Sequence, residues 1–141
     1  MEDDRYWVVR YFRRHPGDDP SNCAPGQEFL RHCPSSVRSK FFAVLLAVAK
    51  APPHKFAGGG YWEAMHGDMA GYHEVRLDGP GREHFRLFCI LDEAPAGFEE
   101  PALVVLCGFS KPFKTKASAA EYAWVRELGE EYRSRTPRSL T

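Results

Sequence analysis

The chain has 141 residues, 43% hydrophobic and 27% charged, and its 19 basic and 19 acidic residues cancel to a formal net charge of zero. That suffices for one domain around one core and is too balanced to draw in a polyanion by its overall field, so any nucleic-acid site has to be a local patch. The longest apolar run, Phe41 to Ala49, is far shorter than the roughly 20 residues of a membrane-spanning helix; the Met-Glu-Asp-Asp start lacks the basic opening and apolar stretch of a secretory signal, which makes a reducing cytoplasm the expected compartment.

Tyr6 to Phe12 is dense in aromatic and branched residues and predicts a first strand, which ends at Arg13-Arg14-His15-Pro16. A surface loop follows from Pro16 to Pro25. Gln27 to Cys33 reads as a short helix stopped by Pro34. Ser35 or Ser36 then caps a second helix, with Val37, Phe41, Val44, Leu45 and Val48 as its core face and Pro52-Pro53 as its end. The stretch from Pro52 through Gly58-Gly59-Gly60 is a mobile connection. Its glycines lack the strand-to-helix context and the Lys-Ser/Thr ending of a phosphate-binding loop. Trp62, Met65 and Met69 either offer an apolar surface to a partner helix or cover the edge of the core.

Three strands are predicted next. Tyr72 to Leu77 alternates, with Tyr72, Glu74 and Arg76 on one face and His73, Val75 and Leu77 on the other. Asp78-Gly79-Pro80-Gly81 is a turn and His84 to Leu91 the return strand of a hairpin. Ala94 to Pro101 connects to Ala102 to Phe109, an apolar run that suits a central strand buried on both faces. Ser118 and Glu121 form a capping box for a last helix whose apolar stripe is Tyr122, Val125, Leu128 and Tyr132. The expected organisation is a single domain over residues 1–141, frayed at 1–4 and 135–141. Its class is α+β: an antiparallel sheet with an N-terminal strand, two N-terminal helices and a C-terminal helix.

Cys23, Cys33, Cys89 and Cys107 lack the close pairing of structural zinc sites and are expected to be thiols, with no metal bound. His15, Cys23, His32 and Cys33 are the one set that a fold could gather on a metal, and their spacing gives that little support.

The chemistry gathers elsewhere. Arg76 and Arg86 fall near facing positions on the hairpin, and like charges there repel unless an anion, or a carboxylate such as Glu74, lies between them. Gly108 to Lys116 carries Lys111, Lys114 and Lys116, two aromatics and no acid. Cations with stackable rings are what single-stranded nucleic acid requires, although short loops are also lysine-rich simply because they are solvated.

Gly71-Tyr72-His73-Glu74-Val75-Arg76, then Phe85-Arg86-Leu87-Phe88, then Val104-Val105-Leu106-Cys107-Gly108-Phe109-Ser110-Lys111 with Lys114-Thr115 resembles the HigB-like, phage-derived branch of the RelE toxin superfamily. The resemblance runs from the aromatic first strand to the last helix. It departs from that branch at Cys107, where the family often has His, at Pro112, in place of a second Lys, and at Ala117, in place of Pro.

The resemblance implies a small RelE-like fold and a cytoplasmic toxin. The activity it implies is a ribosome-dependent, metal-independent endoribonuclease, an mRNA interferase, cutting by attack of the ribose 2′-hydroxyl on the adjacent phosphate. The implied partners are messenger RNA on the ribosome and a helix-turn-helix antitoxin, with no membrane and no small-molecule cofactor. Carried over by position, Arg76 and Arg86 would grip the scissile phosphate, and Lys111 and Lys114 would steady its charge, one of them serving as base. Tyr72, Phe109 and Phe113 would stack on bases, Lys116 would add a phosphate contact, and Glu74 would orient Arg76. His73 would be structural or exposed. The alternatives are a non-catalytic RNA- or partner-binding protein of the same fold and a phage-derived structural protein.

Overall fold

Apolar residues recur at helical spacing in three segments and alternate in the hairpin, and each pattern becomes an element that buries its apolar side. The structure, a computed structural model, describes residues 6–56 and 60–141. The expected frayed start at 1–4, and Gly58 and Gly59 of the expected mobile connection, lie outside the described residues. In chain order the elements are β1 (Val8–Tyr11), α1 (Pro25–His32), α2 (Ser35–Lys50), β2 (Trp62–Ala64), β3 (His73–Gly79), β4 (Glu83–Asp92), β5 (Ala102–Pro112) and α3 (Ala119–Ser134). The class is α+β, with the strands ordered β1-β5-β4-β3-β2 in one sheet.

The sheet is mixed, not wholly antiparallel as expected. β1 runs parallel to β5, Val8 opposite Ala102 and Tyr11 opposite Val105, while β2–β3, β3–β4 and β4–β5 are antiparallel. Short turns dictate antiparallel pairing for consecutive strands only. β1 reaches β5 across most of the chain, so no turn constrains its direction. β2 was not anticipated: three residues flanked by glycines and loops give too little alternation to read.

Helices cover both faces. On one, Val37, Phe41, Leu45 and Val48 of α2 pack with Leu30 of α1 against Val75, Leu77, Leu87, Leu103 and Val105. On the other, Val125, Leu128 and Tyr132 of α3 pack against Phe88, Ile90, Val104 and Leu106. β5, whose Ala102 to Cys107 are all buried, is the central strand its apolar run predicted.

Helix starts depart from expectation at two places. α1 opens at Pro25, because proline fits the first turn, where its missing N–H has no partner to lose. α2 has no serine cap: its N-cap is Pro34, whose carbonyl already accepts from Arg38 N at 2.9 Å, so Ser35 and Ser36 fall inside the first turn. The Ser118–Glu121 capping box of α3 forms in both directions.

Trp62, Met65 and Met69 cover the core edge. Trp62 stacks on His73 at 4.8 Å, Met69 is buried, and Met65 packs against the cluster beneath α3. His73 is half-buried, and burial pulls its pKa down. Cys33, Cys89 and Cys107 are buried and Cys23 half-buried, all of them free thiols; burial pushes the Cys33 thiol up to about 11. The C-terminal tail is ordered rather than frayed: Thr141 and Tyr11 exchange backbone hydrogen bonds, and Leu140 pairs with Phe12. Among the described residues no helix is long and apolar enough to cross a membrane.

Candidate nucleic-acid and catalytic site

Directly opposed residues in antiparallel strands share a face, and so do residues two apart along a strand. The register therefore lays out three parallel rows across β3, β4 and β5. The middle row is Arg76, Arg86 and Phe109; one side of it carries Asp78, His84 and Lys111, the other Glu74, Phe88 and Cys107. α3 lies over this face. Arg86 Nη1 donates to Tyr122 Oη at 3.0 Å and Lys111 Nζ to Glu121 Oε1 at 2.8 Å, so the first turn of α3 engages two of the predicted cations.

The two arginines stand directly opposite each other, which like charges do only at a cost. Glu74 offsets part of it. Its Oε1 lies 3.7 Å from Arg76 Nε, a distance that leaves an electrostatic contact without a hydrogen bond, while its buried Oε2 has no partner. Glu74 thus answers the charge on Arg76 but does not lock its geometry. Burial raises the Glu74 pKa, an effect that Arg86 and Arg76 oppose and Glu63, opposite it on β2, reinforces.

That direction has a measurable consequence. A carboxyl whose folded pKa is raised holds its proton longer in the folded state than in the unfolded one. Stability is then full below the ordinary carboxylate value and falls as pH rises through the raised one. Glu74→Gln should therefore raise the melting temperature at pH 7 by about 3 °C, the shift that about 1 kcal/mol produces in a domain of this size, and leave it unchanged near pH 4. Thermal melts of both proteins at the two pH values test this; a loss of stability at pH 7 would mean that attraction to the arginines outweighs burial.

The remaining predicted residues divide. Tyr72 is buried, its ring beneath Arg133 and its hydroxyl against α3 near Gly129, so it has no face for a base. Sequence alternation had put it on the correct side of the sheet but could not show that α3 covers that end. Phe109 is half-buried against Phe88, 5.1 Å between ring centres. Phe113 stacks on His84 at 4.6 Å, with Arg82 over its ring. Lys114 and Lys116 are exposed beyond the end of β5, Lys114 at a positive φ of 68° in the turn.

Gly108 is what allows the close packing behind the arginines. A Cβ there would sit 2.8 Å from the Arg86 carbonyl and run into the ring of Phe29, so only glycine lets α1 press on β5 beside Arg86.

At the free end of the hairpin a cleft of about 720 Å³ reaches both sides of the sheet: it is lined by Arg76, Asp78, His84 and Arg86 of the rows described above, by Tyr61, and by Leu77 and Phe85 of the opposite face with Lys40 and Val44 of α2. The last β2–β3 bond runs from Arg76 N to Tyr61 O, so β3 beyond it borders the cleft. No family model, curated protein or solved structure significantly matches the chain. The site has to be judged by its own chemistry. Its arginine pair suits a phosphate, its exposed Tyr61 and Lys40 suit a flexible polyanion with stackable bases, and no three His, Cys, Asp or Glu side chains among the described residues are grouped to hold a metal ion.

Sequence reasoning missed five members of this site. Asp78 was read as part of a turn and His84 only as the first residue of the return strand, Tyr61 fell in a glycine-rich connection, Tyr122 was read as core, and Lys40 was given no role. Extending the alternation of Glu74 and Arg76 by one step to Asp78 would have found the first pair.

Proposed function

We propose that this chain is a RelE/HigB-like toxin, a ribosome-dependent endoribonuclease that cuts messenger RNA by 2′-hydroxyl attack and is silenced by a helix-turn-helix antitoxin. The observation that carries the reading is the Arg76–Arg86 pair, directly opposed at the mouth of a cleft. Two permanently charged, planar donors facing each other are costly without an anion between them and well shaped for the oxygens of a phosphodiester. Lys111, one row away, adds charge for the developing phosphorane once substrate competes with Glu121. The fold proposed is the RelE-like member of the α+β class.

The engagement of Lys111 by Glu121 favours, as the second reading, a protein of this fold that binds RNA or a partner without cutting. Induced expression in a bacterial host, with mapping of messenger ends, separates the two. Wild-type protein is expected to arrest growth and create new ends within translated regions, and Arg76→Ala to remove both effects. Folded, soluble wild-type protein with normal growth and no new ends would leave the binding protein.

A further inference from the structure

We infer that His84, held by Asp78, is the proton-accepting catalytic residue of this site; the inference rests on the nuclease reading above and adds the residue that reading lacks. His84 Nδ1 is 2.6 Å from Asp78 Oδ1. Against a carboxylate Nδ1 carries the proton, which leaves Nε2, on the opposite edge of the ring, to accept one. The ring is fixed a second way, by stacking on Phe113 at 4.6 Å with 29° between planes. Phe113 is itself tied to the hairpin turn, its N–H donating to Arg82 O at 2.8 Å. The imidazole remains 31% exposed and lines the same cleft as Arg76 and Arg86, one row along the same sheet face.

An exposed hydrogen bond of this kind adds little stability, whereas a base oriented by a carboxylate beside a phosphate grip is a working arrangement for proton transfer. The other candidate bases are less well placed. Lys111 is paired with Glu121, and Glu74 is buried on the far side of the arginines.

The step balances as follows. The 2′-oxygen bonds to phosphorus as its proton passes to Nε2. The P–O5′ bond breaks with its electron pair on the 5′-oxygen, which takes a proton from water. The resulting hydroxide removes the proton from Nε2, and His84 returns to neutral. The charged and titratable groups around the ring are Asp78 on β3, Lys111 on β5, Arg76 and Arg86 in the next row, Arg82 over Phe113, and Lys40 of α2 across the cleft.

Single-turnover cutting of ribosome-bound messenger by purified protein tests the inference, with wild type, His84→Ala, His84→Gln, Asp78→Asn and Arg76→Ala compared across pH. Removing a general base should slow cutting by about a hundredfold or more in both His84 variants, with binding to the programmed ribosome unchanged. Imidazole in the buffer should restore cutting to His84→Ala and not to Arg76→Ala. The acidic limb of the wild-type rate profile should vanish in the His84 variants, and Asp78→Asn, whose carboxylate acts only by positioning the ring, should slow cutting without weakening binding to the programmed ribosome. Wild-type rates in folded His84→Gln, beside an inactive Arg76→Ala, overturn the role of His84 and leave the nuclease reading standing. Wild-type protein that does not cut removes both.

Discussion

On the proposed nuclease reading, replacing Arg86 with alanine is expected to slow messenger cleavage by about a hundredfold or more, the usual loss when one donor to the transition-state charge is removed, at a stability cost of only about 1 kcal/mol. Arg86 is fixed from two sides: Tyr122 Oη accepts from its Nη1 at 3.0 Å, and the glycine at 108 brings Phe29 and β5 tightly against its backbone. A fixed guanidinium costs little reorganisation when the phosphate becomes pentacoordinate, which is why the loss should fall on kcat more than on KM. The stability cost should be small because the lost hydrogen bond to Tyr122 and the lost countercharge near buried Glu74 are partly offset by the removal of one of two directly opposed positive charges. Arg86→Lys should recover only part of the rate, since an ammonium keeps the charge but not the planar fork. Single-turnover rates and thermal melts of the three proteins decide it. An equal loss of activity and stability would make Arg86 a structural residue.

The first turn of α3 holds this site together. Glu121 caps the helix through Ser118 and also accepts from Lys111, and its hydrogen bond to Lys111 is the largest influence holding its pKa low. One residue later Tyr122 accepts from Arg86 and packs edge-on against Phe88. A capping box, a local device, thereby sets the helix start at the point where two side chains reach cations on two different strands.

What could be read from the chain follows from which signals are local. The alternation of Tyr72 to Leu77, the continuous apolar run of β5 and the capping box of α3 are each written within a dozen residues, and each became the element expected. So did the opposition of Arg76 and Arg86. The direction of β1 depended on pairing at a separation of some ninety residues, which no local pattern carries. The hairpin turn was placed one pair too early. The strands extend to Gly79 and Glu83, with the turn made by the left-handed Gly81 and Arg82 at φ of 76° and 56°, and that shift takes Asp78 out of the turn and pairs it with His84, the first residue of the expected return strand. Tyr72 fell to the same limit as β1, because its neighbours Gly129 and Arg133 lie far along the chain.

Cutting the chain after Ser134 should cost about 4 kcal/mol and lower the melting temperature by roughly 12 °C. β1 is an edge strand of the sheet, and residues 135–141 close that edge. Tyr11 N donates to Thr141 O at 3.1 Å, Thr141 N to Tyr11 O at 2.8 Å, and Arg13 N to Ser139 O at 3.1 Å, while Arg138 N reaches Ala96 O at 2.9 Å. Each such bond is worth about 1 kcal/mol net. Leu140 also packs onto the cluster that contains Phe12 and Tyr132. Arg138 lies over the Tyr132 ring, with its Nε 3.5 Å from Asp92, the same carboxylate that accepts from the Tyr132 hydroxyl at 2.7 Å. Losing the tail therefore loosens α3 as well as β1, and leaves β1 with an open row of backbone groups, a template for pairing between molecules. The truncated protein should accordingly melt lower and associate as its concentration rises, whereas a chain that melts like the full one and stays monomeric would show that the tail lies on the sheet without holding it.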